Sequence, residues 1–162
     1  TNGGSFRVLV CHKDSEIISD NILIQEILDN EIKRKLHTIS PYVEFKERAE
    51  KIKIKVKEFI MNEKRKGRSI FIYGASTKGN TILQFFDLGA YLDGIGDRNQ
   101  EKIGRLTVGT HIPIVSEEEA RLKADYFLIL PWGFLDAFVE REKEWHDKGG
   151  RFITHTPQFS IL

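Results

Sequence analysis

A short run of glycine, hydroxyl-bearing and cationic residues is the part of this sequence best suited to hold a phosphate group. The run is Gly74-Ala75-Ser76-Thr77-Lys78-Gly79-Asn80-Thr81, and it directly follows the apolar stretch 69–73. This order predicts a strand, a tight turn and a helix start, where a doubly wound α/β sheet presents free N–H groups to an anion. Two hydroxyl groups and one ammonium group would converge there.

Two well-known phosphate loops match this run only in part. The P-loop pattern fits Gly74 and Gly79, but Asn80 stands in place of its lysine, so nucleoside triphosphate hydrolysis loses its main support. The dinucleotide pattern G-x-G-x-x-G fits the same two glycines, but Ser76 replaces the middle glycine that lets a pyrophosphate approach the backbone. The sequence therefore argues against NTP hydrolysis and against NAD.

Further candidate contacts follow the later strands. Asp97 ends the second strand of the domain, where a ribose-binding carboxylate is found about 20 residues after the glycines. Arg98 and Asn99 come next and could contact a base, a ribose or a phosphate. Trp132 follows a strand at 125–130 and could stack on a base or sugar, or fill the loop against the core.

A plainer interpretation of the turn stays open. The run could be an ordinary connection between a strand and a helix that binds nothing. Ser76 or Thr77 would then serve as the helix N-cap, a role that does not exclude contact with a ligand.

Composition and charge exclude several function classes. The 162 residues carry a formal net charge of +1, so no global field favours nucleic acid or an anionic membrane. The basic stretch 51–68 also holds Glu58 and Glu63 and is best explained as a solvated helix face. The single cysteine, Cys11, excludes an internal disulfide and a cysteine metal cage, and the five histidines lack ligand spacing. With no signal peptide and no apolar run of about 18 residues, we expect a cytoplasmic protein.

The chain before the turn is predicted to form a strand and two helices. Alternating apolar residues predict a half-buried strand over 5–12, and Asp14 or Ser15 would cap a helix that ends before Pro41. A long second helix is predicted over 42–66, because its length and its good helix formers outweigh a local strand-like alternation. The sequence lacks an initiator methionine and runs at once into that strand, so we expect a fragment of a longer polypeptide.

From residue 68 onward, strands and helices alternate. The predicted strands are 69–73, 91–96, 112–115, 125–130 and 151–154, and the predicted helices are 78–88, 116–122 and 134–148. This alternation predicts an α/β fold over 68–162: a small Rossmann-like domain with a mainly parallel, doubly wound sheet. Residues 1–67 would form an N-terminal strand and helical extension.

Motifs along nearly the whole chain occur in the order seen in one known family. They are Asn2-Gly3-Gly4-Ser5-Phe6-Arg7, the run 74–81, Asp97-Arg98-Asn99 with Lys102 and Gly104, Gly109-Thr110-His111-Ile112-Pro113-Ile114, Asp125-Tyr126, Leu130-Pro131-Trp132, and Gly149-Gly150-Arg151-Phe152-Ile153. Together they resemble the C-terminal domain of the S-adenosylmethionine-dependent sugar C-methyltransferases. Those enzymes methylate a carbon of a nucleotide-linked keto-deoxysugar.

The resemblance implies a binding role without catalysis by this fragment. It makes the turn residues contacts to the diphosphate of a nucleotide-sugar, and it makes three later residues contacts to the nucleoside end. The diphosphate contacts would be Ser76, Thr77, Lys78 and Gly79, and the nucleoside contacts Asp97, Arg98 and Asn99, with Asn80 a further candidate contact to the substrate. S-adenosylmethionine and a structural zinc would belong to upstream parts of the full-length protein, including a methyltransferase domain that 1–67 would link to this one.

The sequence departs from the family pattern at some points. Gly133 stands where members often carry a polar residue, and no E/D-x-G-x-G-x-G methyl-donor loop is present. Two other interpretations stay open. One is a regulatory module that binds a nucleotide or coenzyme A, and the other is a domain that oligomerises through the helices at 15–66.

Overall fold

The computed structural model describes residues 6–162 of the chain. By its internal contacts the chain divides into two compact units, Thr1–Glu50 and Lys51–Leu162, which we describe separately. The division falls inside the long second helix, so the last part of that helix groups with the sheet. The domain boundary predicted after residue 67 remains a prediction.

The first unit contains the first predicted helix but not the predicted strand. Residues 6–12 form no strand and are exposed, so the expected strand over 5–12 is wrong for these residues, and residue 5 lies outside the described part. Alternation of apolar and polar residues does not by itself make a strand, because the backbone N–H and C=O groups of a strand need hydrogen-bond partners on a neighbouring strand. Helix α1 is Asn21–Lys33, capped by Asp20 rather than by Asp14 or Ser15.

The second helix, α2, is Ser40–Arg65 and confirms the prediction over 42–66. Its lysine-rich stretch is helical despite the strand-like alternation of lysines and apolar residues. In the second unit, Val56 and Ile60 are buried at a spacing of four residues, so one face of the helix meets the core.

The second unit is built on a six-stranded sheet in the order β3-β2-β1-β4-β5-β6. The strands are β1 Ile70–Tyr73, β2 Gly94–Asp97, β3 Ile114–Ser116, β4 Tyr126–Ile129, β5 Arg151–Thr154 and β6 Ser160–Ile161. Strands β1 to β5 run parallel to one another, and β6 pairs antiparallel with β5. The helices are α3 Thr77–Phe86, α4 Glu117–Lys123, α5 Leu135–Arg141 and α6 Lys143–Asp147.

Both faces of this sheet are covered, which confirms the doubly wound α/β fold. On β1, Ile70 and Ile72 face a core that includes α2 and α3 residues. Phe71 and Tyr73 point the other way, into a core that includes residues of α4, α5 and α6. The alternation follows from the two-residue period of a strand, and burial on both faces explains why β1 is apolar throughout.

Most predicted elements of this unit differ from the structure by one or two residues at an end, and two of them differ more. The second strand starts at Gly94, because Gly89–Tyr91 forms a 3-10 turn. The helix predicted over 134–148 is divided at Glu142, where the backbone angles are φ −100° and ψ 20°. The edge strand β6 was not predicted.

Glu142 belongs to a buried ion network beneath the sheet. Its carboxylate accepts hydrogen bonds from the Arg121 side chain and from the Tyr73 hydroxyl. Arg141 donates to the same hydroxyl and to Glu117 at 3.1 Å. Burial acts to raise the pKa of Glu142, but these hydrogen bonds outweigh it and lower the pKa below its usual value. The network thus joins β1 to α4 and to the junction of α5 with α6.

Replacing Glu142 should therefore destabilise the fold. Glu142→Gln leaves Arg121 without its buried partner, so we expect the free energy of unfolding to fall by about 3 kcal/mol in urea denaturation. Glu144→Gln is the control: it removes an exposed partner of Lys148 and should change the free energy of unfolding little.

The same substitution predicts a change in pH dependence. Because the folded pKa of Glu142 lies below the unfolded value of 4.5, its stabilisation is complete above that pH. It is lost as the pH falls through the lower folded pKa, so the wild type should lose more stability on acidification than Glu142→Gln. Equal losses in the two proteins would contradict this role.

Candidate functional site

The turn after β1 lies at the carboxyl edge of the sheet, at the point where chain connections diverge. Helix α3, which follows β1, packs on one face, and α5, which follows β4, packs on the other. Open α/β sheets bind ligands at such a switch point. Gly74 has φ +88°, a value that favours glycine, and its N–H donates to the Gly96 carbonyl at 2.8 Å. The chain thereby turns directly from β1 toward α3.

The start of α3 presents two backbone donors. Ser76 is the N-cap: its hydroxyl accepts from the Gly79 N–H at 3.0 Å, and its carbonyl accepts from the Asn80 N–H at 3.1 Å. The capping role considered for Ser76 is thus confirmed. Within the described part of the chain, the N–H groups of Thr77 and Lys78 have no acceptor. Such donors, aligned with the helix dipole, attract an anion.

The side chains on this first helical turn differ in their exposure. Thr77 and Lys78 are exposed, whereas Asn80 is half-buried. Lys78 forms no ion pair with any residue of 6–162. Its ammonium group is therefore available to an anionic ligand at the end of the helix.

Gly79 lets α3 pack closely against the end of β4. A Cβ added at Gly79 would lie 2.9 Å from the Ser76 hydroxyl oxygen and 3.0 Å from the Leu130 side chain. The absence of a side chain thus permits this close packing, the role that the third glycine has in the dinucleotide pattern.

Asp97 lies at the carboxyl end of β2 and is tied to the turn. Its carboxylate accepts from the N–H of Ala75 at 2.7 Å, from the N–H of Asn99 at 2.8 Å and from the Lys102 ammonium at 3.3 Å. Burial acts to raise the pKa of this carboxyl group, but the hydrogen bonds outweigh it and the pKa is lowered. Asp97 is therefore held as a charged group beside the turn.

Arg98 and Asn99 are exposed beside it. The Arg98 guanidinium lies 3.7 Å from the Glu117 carboxylate, which is itself buried at the start of α4. The Asn99 side-chain oxygen accepts from the Glu101 N–H at 2.9 Å. Most of the donors of Arg98 thus remain open to solvent or ligand.

Trp132 lies in the loop after β4, the strand next to β1. It begins a 3-10 turn, Trp132–Phe134, and is 37% exposed, so part of its ring is free to stack on a ligand. A Cβ added at Gly74 would lie 3.8 Å from the Pro131 ring, so this loop lies beside the start of the turn.

Two residues near the site had no predicted role. Lys102 bridges Asp97 and the Ala75 carbonyl, and Glu117 pairs with Arg98 and Arg141. Lys102 was part of the family motif, but its spacing from Asp97 does not predict that its ammonium group donates to the Ala75 carbonyl in the turn. Glu117 lies in the helix predicted over 116–122, and no ion pair was predicted for it.

Neither metal clusters nor spanning helices occur in the described part of the chain. Among residues 6–162, no group of three or more histidine, cysteine or acidic side chains is placed to hold a metal ion. None of the helices described there is both long and apolar enough to cross a bilayer.

Comparison with known proteins identifies the family. Residues 1–157 match the C-methyltransferase C-terminal domain. The chain belongs to that family. It is also 31% identical over 141 residues to the C-methyltransferase NovU of Streptomyces niveus, an alignment that covers 86% of this chain and 34% of the relative. The chain thus spans about a third of the length of that relative.

The packing of Gly79 gives a test of the turn. In an ordinary helix interior, glycine to alanine stabilises by up to about 1 kcal/mol. Here the added Cβ meets Ser76 and Leu130, so we expect Gly79→Ala to destabilise by about 1–3 kcal/mol in urea denaturation.

Gly133→Ala is the matched control, because nothing lies within 4 Å of a Cβ at that position. It should leave stability nearly unchanged. A Gly79→Ala protein as stable as the wild type would show that the turn tolerates a side chain at this position.

Proposed function

We propose that this chain is the nucleotide-sugar-binding domain of an S-adenosylmethionine-dependent C-methyltransferase that acts on a nucleotide-linked deoxysugar. Family membership supports the enzyme class. One observation carries the binding role: the first turn of α3 offers two N–H donors and an exposed lysine at the switch point of the sheet. A diphosphate fits this combination of donors and positive charge.

The turn would hold the diphosphate by the positive charge of Lys78 and by the orientation of its backbone donors. The Thr77 and Lys78 N–H groups point out of the helix end, and the Lys78 ammonium neutralises negative charge beside them. The Thr77 hydroxyl is exposed on the same turn and adds a donor. The Ser76 oxygen already accepts a hydrogen bond, so its own proton is available for donation.

The neighbouring loops would contact the rest of the ligand. Arg98 and Asn99 after β2 are exposed and suit the nucleoside end, and the partly exposed Trp132 ring after β4 suits stacking on a base or sugar. Held at several points, the sugar would be oriented for a reaction with a second domain.

S-Adenosylmethionine would supply the methyl group. The residues of this chain do not fit that donor or a zinc centre, since the sequence lacks a methyl-donor loop and has one cysteine, which is exposed. We therefore assign both to an upstream methyltransferase part of a longer protein and derive no catalytic step for this domain. Its partners would be the nucleotide-sugar and that upstream part, with no role for nucleic acid or membrane.

Replacing Lys78 tests the diphosphate role. Removing the ammonium group in Lys78→Ala should weaken binding of a thymidine diphosphate sugar by about 1–3 kcal/mol in calorimetry, while the fold stays intact. Lys148→Ala is the matched control: that lysine is exposed and lies near the start of β5, at the opposite edge of the sheet. An unchanged dissociation constant in Lys78→Ala would reject the proposal.

Thermal shifts with three ligands distinguish the rival functions. We expect the thymidine diphosphate sugar to raise the melting temperature more than coenzyme A or NAD does. A shift with coenzyme A alone would favour a regulatory coenzyme A module. No shift with any of the three would favour a purely structural or oligomerising domain.

A further inference from the structure

The carboxylate of Asp97 is occupied by donors of the protein itself. One oxygen, Oδ2, accepts from the Ala75 N–H at 2.7 Å and from the Lys102 ammonium at 3.3 Å. The other, Oδ1, accepts from the Asn99 N–H at 2.8 Å. The side chain is only 12% exposed. A ribose hydroxyl would have to share or displace these donors to reach it.

Lys102 completes a bridge around the backbone of Ala75, between the two peptide groups that this residue joins. Its ammonium donates to the Ala75 carbonyl at 2.7 Å and also lies 3.3 Å from Asp97. The N–H and the carbonyl of Ala75 are thus both held by one ion pair. Ala75 directly precedes the N-cap Ser76, so the orientation of its two flanking peptide groups sets the direction in which the first turn of α3 begins.

A second ion pair of the same design holds the other end of β1. Asp93 accepts from the Ile70 N–H at 2.7 Å and from the Lys64 ammonium at 2.7 Å. This pair lies at the amino edge of the sheet, away from the turn. The molecule therefore contains a built-in comparison between a pair next to the candidate site and a pair remote from it.

We propose that Asp97 and Lys102 are positioning residues, which fix the two peptide groups flanking Ala75 and so orient the donors of the first α3 turn toward the ligand. The proposal rests on the function proposed above, and it reassigns Asp97 from contact with the nucleoside to control of the diphosphate turn. The chemistry supports this, because a charge-assisted bond to a backbone N–H is strong and directional. A turn held in advance also loses less entropy on binding.

The test measures two ligands by calorimetry: inorganic pyrophosphate, which has no ribose, and thymidine diphosphate. Asp97→Asn and Lys102→Met should raise the dissociation constants of both ligands by the same factor. We expect about tenfold for the loss of a charge-assisted hydrogen bond. Lys102→Arg keeps donors at this position and should restore most of the affinity. Asp93→Asn should leave both dissociation constants unchanged, even where it lowers the melting temperature.

Hydrogen exchange of the Ala75 amide gives a readout without ligand. Exchange should be faster in Asp97→Asn than in wild type and unaltered in Asp93→Asn. If Asp97→Asn weakens the binding of thymidine diphosphate but not that of pyrophosphate, Asp97 contacts the nucleoside and the positioning role is overturned. If wild-type protein binds neither ligand, the proposed function itself fails.

Discussion

The hydrogen bond from the Ala75 N–H to the Asp97 carboxylate joins the ends of two neighbouring strands at the point where α3 begins. A short Gly74 N–H bond to the Gly96 carbonyl lies beside it. These bonds extend the β1–β2 pairing past the end of β1 and fix where the chain turns. The direction of α3, and therefore of its free N–H groups, depends on them. The proposed phosphate site is thus a consequence of how two strands end.

The sheet gives this turn a rigid support. Because β1 is flanked by β2 and β4 and covered on both faces, its carboxyl end has little freedom. The Glu142 network holds Tyr73, the last residue of β1, from below. Gly79 then allows α3 to approach Leu130 at the end of β4. Thr77 and Lys78 at the start of α3 are exposed, whereas Asp97, which accepts from the Ala75 N–H, is buried.

Much of this architecture could be predicted from the sequence, because it is set by local patterns. Apolar runs predicted β1, β4 and β5, and the alternation of strand and helix patterns predicted α4. The prediction failed at 6–12, where alternation exists but no partner strand does. It also failed at Glu142, where the helix is interrupted and the carboxylate is bound by Arg121, which lies 21 residues earlier in the sequence.

The same limit applies to the site. The sequence predicted the turn and its N-cap, since both are local. The bridge from Lys102 to Ala75 joins residues that are 27 positions apart and depends on the tertiary fold. The roles of the exposed residues remain proposals. The most direct test of the central claim is an NMR titration of the ¹⁵N-labelled chain with a thymidine diphosphate sugar. We predict that the amide chemical shifts of Thr77 and Lys78 change most on addition of the ligand. Saturable shift changes confined to other residues, or no shift changes at all, would contradict the account.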